Sequence, residues 1–190
     1  ELQRLASSVN VMVVMISKMP SWLSSSQDST PLPVDPGWKR FHAVPPLSAN
    51  DWRQAISALA ARVDQIVGGR CRLYFEFWSE PDGGYWISDQ ASLLSLYEAT
   101  ATALRQAVPG AKVGGFGVNQ WDGKIGGGTV PAQFALVDDA AARGVPLDFL
   151  SFHLFSPDPA DVDRAAQAYR GRLAAAGLVG VELISTEWNA

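Results

Sequence analysis

The segment "RLYFEFWSEPDGGYW", residues 72–86, is the strongest indication of the fold class. Its first seven residues are mostly apolar and aromatic, which is typical of a strand covered on both faces of a parallel sheet. Glu80 follows in a turn crowded with aromatic side chains. The segment therefore predicts a parallel strand that presents one carboxylate at its carboxyl end.

Similar apolar runs recur along the chain, and longer alanine-rich stretches separate them. The intervening stretches have helix start and stop signals, such as Ser48 before the first and Gly68 after it. This alternation predicts βα units around a parallel sheet. Strands are predicted over residues 9–17, 72–78, 111–117, 147–153 and 181–186.

Five strands leave two architectures open, because an eight-stranded barrel needs more of them. One is an open doubly wound sheet, and the other is part of a (β/α)8 barrel. An open nucleotide-binding sheet usually has a glycine fingerprint after its first strand, and "KMPSWLSSS" contains none. Residues 20–48 and 119–130 are long segments after strand ends, so they are candidate binding loops or ordinary insertions.

Composition excludes several classes of function. The 190 residues, 47% hydrophobic and 18% charged, fit one globular domain. A net charge of −4 with scattered basic residues argues against nucleic acid as a partner. The apolar run at residues 9–17 is too short to cross a membrane, so no membrane partner is predicted. Cys71 stands alone, which rules out an intrachain disulfide.

The sequence predicts no cofactor and no metal site. The two histidines are far apart, and no H-x-x-x-H pattern or calcium loop is present. The opening "ELQRLASS" starts at Glu1 inside a helical pattern, so we expect a missing upstream segment. The compartment stays open, and a secreted or periplasmic location is compatible with the sequence.

Two carboxylates suggest a reaction. Glu80 and Glu187 each follow an apolar strand and lie near tryptophan. A lone glutamate at a strand end is more often a cap or an ion-pair partner, but a pair at one edge of a sheet is what glycoside hydrolysis uses. Regular strand alternation would put Glu187 on the same face as Leu183 and Ser185. The same rule aligns Glu76 with Glu80 but deeper, as a buried structural carboxylate.

Three segments resemble retaining glycoside hydrolases of the (β/α)8 clan. "FEFWSEP" resembles the acid/base motif "FEVWNEP" of that clan, and "ISTEWN" is similar to the nucleophile strand of glycoside hydrolase family 39. "DFLSFHLFS" is similar to the sixth strand of that family, which ends in a histidine. The family includes β-xylosidases and α-L-iduronidases.

The resemblance implies a fold and a reaction. The chain would form the third to seventh βα units of a TIM barrel, as one partial catalytic domain over residues 1–190. Glu80 would be the general acid/base and Glu187 the nucleophile of a double displacement on a β-linked, xyloside-like sugar. An oligosaccharide or polysaccharide would be the substrate, and His153 would neighbour the nucleophile.

Ser79 departs from the family pattern, which has asparagine before the acid/base. A hydroxyl offers one donor where an amide offers two. The change is compatible with a different sugar, with compensation by Asn119, or with lost activity. The last possibility supports a second hypothesis, a carbohydrate-binding relative without catalysis. A third is an unrelated barrel enzyme that uses Glu80 as a proton-abstracting base.

Tryptophans at predicted strand ends are candidate platforms for sugar rings, although core packing is the ordinary role of any one of them. Trp188 and Trp22 are the strongest candidates, whereas Trp38 and Trp52 lie further from strand ends in the sequence. The complete set of candidates is Trp22, Trp78, Trp86, Trp121 and Trp188.

Overall fold

The computed structural model describes residues 1–189 and contains one parallel sheet with strand order β1-β2-β3-β4-β5. All five predicted strands are present, and successive strands in the chain are neighbours in the sheet. This order is that of consecutive βα units. The strands are β1 (Val11–Ile16), β2 (Arg72–Ser79), β3 (Lys112–Gly117), β4 (Phe149–Phe155) and β5 (Glu182–Asn189).

The helices follow the predicted start and stop signals. The Ser48 side chain accepts from the Asp51 amide to cap the helix after β1, and Gly68 ends that helix in the left-handed conformation. Among residues 1–189, no helix has the length and apolarity needed to cross a bilayer. The helices are α1 (Leu2–Ala6), α2 (Ala49–Val67), α3 (Gln90–Ala107), α4 (Ala132–Arg143) and α5 (Ala160–Ala175).

The sheet is strongly curled. On its concave side the Tyr74 hydroxyl of β2 donates to Glu182 of β5 at 3.0 Å, and Thr186 of β5 donates to Glu76 of β2 at 2.8 Å. Strands three positions apart in a flat sheet would be separated by roughly 14 Å. The direct contacts therefore require an arc, and the fold is a partial (β/α) barrel.

The main core lies between the convex face of the sheet and the helices. Tyr97 of α3 packs against Phe77 and Phe116, with ring centroids 5.6 and 5.9 Å apart. Tyr169 of α5 packs in the same way against Phe152, at 5.6 Å. These contacts anchor α3 and α5 to the strands that carry the polar residues at their ends.

One buried side chain joins β3 to β4, whose regular pairing is limited to Gly114 with Phe149. Gln133 of α4 is fully buried, and its amide nitrogen donates to the carbonyls of Phe116 and Ser151 at 2.6 and 2.5 Å. Its oxygen accepts from the Phe116 amide at 3.3 Å. The side chain thus replaces missing ladder hydrogen bonds near the carboxyl ends of both strands.

Candidate active site

Glu80 is presented by a sharp backbone turn at the end of β2. Trp78 and Glu80 both have positive φ, 60° and 44°, which is uncommon for residues other than glycine. The Glu80 amide donates to the Gly117 carbonyl at 2.6 Å, and the Trp78 indole donates to the Tyr85 carbonyl at 3.0 Å. The predicted regular alternation from Glu76 to Glu80 is therefore wrong, because the backbone leaves the extended conformation at Trp78.

Glu187 lies within β5, since this strand continues beyond the predicted end to Asn189. The pairing of β4 with β5 shifts by one residue, so that Thr186 is an extra residue between Ser185 and Glu187. Ser185 lines a cavity on the helix side with Phe152, whereas Thr186 contacts the concave side. The expectation that Glu187 shares a face with Leu183 and Ser185 is wrong, because this bulge reverses the alternation.

His153 joins the two glutamates. Its Nδ1 lies 2.8 Å from Glu80 Oε1, and its Nε2 lies 3.6 Å from Glu187 Oε1. The imidazole is completely buried, while the side chains of Glu80 and Glu187 are 21% and 47% exposed. One ligand-type atom from each of the three residues lies within 4.8 Å of the others. The predicted convergence of the two carboxylates, with His153 beside Glu187, is present in this geometry.

The two glutamates line a pocket of about 210 Å³ together with Ser79, Trp38 and Tyr85. Trp38 and Tyr85 are in contact, with ring centroids 4.9 Å apart. The sequence predicted neither of them as a pocket residue. Trp38 is far from any strand end in the sequence, and Trp86 was the predicted sugar platform instead of its neighbour Tyr85. The adjacent aromatic residues in "GGYW" and the length of the loop after β1 are the only features of the sequence that could have indicated Tyr85 and Trp38 as pocket residues.

Tyr85 presents an uncharged phenol hydroxyl to this pocket. Burial is the main cause that raises the pKa of its phenol, and the negative charges of Asp35, Glu80 and Glu187 raise it further. The phenol consequently keeps its proton at neutral and mildly alkaline pH. It can donate a hydrogen bond to a ligand that lies between the carboxylates.

The loop that carries Trp38 is held by His42. The Lys39 amide donates to His42 Nδ1 at 2.9 Å, and the imidazole packs edge-on against the Trp38 ring at 5.9 Å. Burial, followed by the charges of Lys18 and Lys39, lowers the pKa of His42. The loop is therefore compatible with neutral histidine, whose unprotonated Nδ1 is the required acceptor.

Asp82 ties the turn of Glu80 to the loop after β3. Its carboxylate accepts from the amides of Asn119 and Gln120 at 2.8 and 2.9 Å. Burial raises the pKa of Asp82, and those two hydrogen bonds partly offset the rise. Asn119, a predicted binding residue, is thereby fixed next to the turn of Glu80, although it does not line the 210 Å³ pocket.

The predicted tryptophan platforms are distributed differently from the expectation. Trp86 is 4% exposed and donates to the Asp89 carbonyl, so it belongs to the core beneath the loop. Trp188 lines a separate apolar cavity of about 340 Å³ on the helix side of β5. Trp22 is 73% exposed, and Trp121 is partly buried against the core. Trp78 is completely buried, and none of the five predicted tryptophans lines the pocket of the glutamate pair.

A larger cavity of about 660 Å³ is lined by α5, β5 and the segment between them, away from the glutamate pair. Its only acid, Glu182, forms an ion pair with Lys112, and this contact lowers the pKa of that carboxyl. Cavity volume alone would therefore select a site that does not contain the glutamate pair. The smaller pocket is the candidate active site because it contains two carboxylates and a buried imidazole.

Comparison with known proteins connects this geometry to a family. The family model described as glycosyl hydrolases family 39 matches residues 19–174, which is most of the chain. The chain belongs to glycosyl hydrolase family 39. Glu80 and His153 lie within the matched residues, and Glu187 follows them.

Individual proteins and solved structures are also similar to the chain. A β-xylosidase of Caldicellulosiruptor saccharolyticus is 29% identical over 77% of this chain, and one of Geobacillus stearothermophilus is 31% identical over 63%. The chain spans 31% and 23% of the lengths of these relatives. A monomeric β-xylosidase from Caulobacter crescentus CB15 superposes over 93% of this chain and 37% of its own, with a TM-score of 0.73 and 23% identity. The last similarity supports the barrel fold.

Proposed function

We propose that this chain carries the acid/base and the nucleophile of a retaining glycosidase that cleaves a β-linked, xyloside-like sugar. The single observation that carries the proposal is the approach of Glu80 and Glu187 oxygens to within 4.8 Å, with His153 between them. Retaining enzymes hold their carboxyl groups about 5 to 5.5 Å apart, whereas inverting enzymes leave about 6.5 to 9.5 Å for a water molecule. The spacing therefore favours double displacement.

In the first step, a Glu187 carboxylate oxygen attacks the anomeric carbon. A bond forms between that oxygen and the sugar, the bond to the leaving oxygen breaks, and the Glu80 proton passes to the leaving oxygen. In the second step, Glu80 takes a proton from water while the water oxygen displaces Glu187. The products are the leaving alcohol and a free sugar with its original anomeric configuration.

His153 positions both carboxyl groups for these steps. With the proton on Glu80, Nδ1 accepts it in a hydrogen bond and Nε2–H points toward Glu187 at 3.6 Å. When Glu80 has given its proton away, the ring can donate to the resulting carboxylate once Nδ1 takes up a proton and Nε2 releases one. A change of tautomer therefore lets the buried imidazole adapt to both charge states of Glu80 without rotating.

The barrel position and the substrate complete the proposal. The order of the motifs supports β1 to β5 as the third to seventh strands of a family barrel, with Glu80 just after the fourth strand and Glu187 within the seventh. Trp38 and Tyr85 form an aromatic wall of the pocket, suited to the apolar face of a sugar ring. The β-xylosidase names of two sequence relatives support a xyloside as the sugar.

Mass spectrometry after incubation with 2-fluoro xylosides tests the nucleophile. These reagents trap the covalent intermediate of a retaining enzyme, so we expect one sugar adduct on the peptide that contains Glu187. Glu187→Gln is the matched control and should give no adduct. An adduct on any other residue, or inversion of product configuration, would refute the proposed mechanism.

Leaving-group dependence tests the acid. Glu80→Ala should slow hydrolysis of unactivated xylosides by about 100-fold to 10,000-fold, the range for general acid catalysis. Aryl xylosides with a good leaving group should be much less affected in the first step, because they need no protonation. Equal losses on both substrate types would contradict the acid role.

A binding protein without catalysis is the second candidate, and Ser79 is the observation that favours it. Ser79 lines the pocket beside Glu80, at the position where the family has asparagine. Isothermal titration with xylooligosaccharides separates the two cases. Tight binding without hydrolysis over a long incubation, unchanged in Glu187→Gln, would support the binding protein, and Ser79→Asn should then restore turnover.

A further inference from the structure

We infer that Glu80, His153 and Glu187 also form an inhibitory binding site for a borderline transition-metal dication such as Zn²⁺ or Cu²⁺. One nitrogen and two carboxylate oxygens lie within 4.8 Å of one another. Imidazole nitrogen and carboxylate oxygen are both ligands that zinc uses in proteins. Sequence spacing did not reveal it, because His153 is 73 residues from Glu80.

The buried imidazole nitrogen is the observation that points to a ligand. His153 is 2% exposed, and its Nε2 has no hydrogen-bond partner while facing Glu187 Oε1 at 3.6 Å. When Glu80 is ionised, it accepts from Nδ1–H, so neutral His153 directs the Nε2 lone pair toward a second carboxylate. The Glu187 carboxylate then faces an unshared electron pair of the ring, which is an arrangement that a cation stabilises.

Nε2 lies close to Gly117, where no side chain covers it. A Cβ at Gly117 would lie 2.8 Å from His153 Nε2 and 3.1 Å from Glu76 Oε1. Glu80 also fits a second role, because a carboxylate that holds the other nitrogen of a metal-binding histidine fixes the ring and its tautomer. Bonds of about 2.0 to 2.2 Å require the donors to approach to about 3.4 Å, which small rotations of the exposed Glu187 side chain can provide.

The donor set favours some ions over others. Mg²⁺ and Ca²⁺ prefer sites made of oxygen alone, so a buried imidazole selects against them. Zn²⁺ and Cu²⁺ bind imidazole well, and a bound ion would share the Nε2 lone pair and occupy the Glu187 carboxylate. Such an ion excludes a sugar from the pocket, so inhibition would be competitive with substrate. This last consequence rests on the proposed glycosidase function, whereas metal binding itself does not.

Direct binding is the first test. Isothermal titration with Zn²⁺ should show one equivalent bound, and ¹⁵N-imidazole spectra should show a shift of His153 but not of His42. Co²⁺ should give a visible absorption spectrum of a low-symmetry nitrogen and oxygen site. A wild-type protein that binds no Zn²⁺, or that shifts only His42, would overturn the inference.

Variants test the residues. Glu187→Gln and His153→Gln should each weaken Zn²⁺ binding by at least about tenfold. Glu98→Gln removes a surface carboxylate that pairs with Arg143, and it should bind Zn²⁺ like the wild type. Equal Zn²⁺ affinity in all of these proteins would refute the assignment. The wild-type spectra keep the test valid if one variant does not fold.

Inhibition separates this inference from the proposed function. Zn²⁺ should raise the KM for an aryl xyloside with little change in kcat, and a chelator should restore activity. Metal binding at His153 in a protein without hydrolysis would leave the site standing and refute the glycosidase. If the protein hydrolyses the xyloside, binds no Zn²⁺ and is not inhibited by it, the metal site would be refuted and the glycosidase would stand.

Discussion

Replacement of Gln133 by leucine is expected to destabilise the junction between β3 and β4 beneath the candidate active site. Gln133 is fully buried and makes three hydrogen bonds to the backbone of the two strands. Leucine is similar in size but can make none of them. The Phe116 carbonyl would keep its bond from the Val118 amide, so the Phe116 amide is the group left without its side-chain partner.

The magnitude follows from these contacts. A buried amide without a partner costs about 1 to 3 kcal/mol, and each lost hydrogen bond to a carbonyl costs about 1 kcal/mol. Greater apolar burial by leucine returns about 1 kcal/mol. We therefore expect the free energy of unfolding to fall by about 2 to 4 kcal/mol, a large part of the stability of an ordinary domain.

Urea denaturation of the intact protein, followed by circular dichroism, measures this change. With a slope of about 2 kcal/mol per molar urea, the midpoint should fall by about 1 to 2 M without a change in slope. Gln54→Leu on the exposed face of α2 is the matched control and should shift little. If the two variants had equal midpoints, the argument that Gln133 replaces ladder hydrogen bonds would be refuted.

Three further predictions concern the pocket. Because the pKa of His42 is lowered, the stability that its loop gains is fully present above the ordinary value of 6.5 and is lost as pH falls toward the lowered value. The indole NMR signal of Trp38 should therefore change below pH 6.5, and His42→Asn should remove this dependence. Gly117→Ala should reduce kcat on the order of 100-fold by displacing the bridging imidazole, whereas Gly110→Ala, with no atoms within 4 Å, should not. Trp38→Ala should raise the KM for xylosides, and Trp188→Ala should leave KM unchanged; the opposite result would contradict the assignment of the aromatic wall.

The sequence predicted the strands well because each is a local apolar run between turn signals. The carboxyl ends of parallel strands lie at one edge of the sheet, so the meeting of Glu80 and Glu187 could also be inferred from the order of strands. The predictions were wrong where the conformation of one strand depends on its pairing with another. The extension of β5 to Asn189 and its shift at Thr186 result from pairing with β4, which no single run of residues encodes.

The aromatic residues show the same limit. Trp86 and Tyr85 are neighbours in the sequence, yet one is in the core and the other lines the pocket. The difference results from the backbone at Trp78 and Glu80, where positive φ reorients the chain, and neither residue is a type that favours that conformation. Trp38 reaches the pocket through a long loop whose course depends on tertiary contacts such as that of His42.

The one-residue shift at Thr186 makes the direction of Glu187 depend on the register of β5. Deletion of Thr186 would restore regular alternation and leave Glu187 beside His153 on the concave side, but Glu76 would lose the hydroxyl that donates to it. Substitution by serine would retain that hydroxyl. If Thr186 itself paired with His153, without the bulge, Glu187 would turn toward the helices and Trp188 toward the concave side. The register of this strand, rather than its length, thus decides which side of the sheet Glu187 faces.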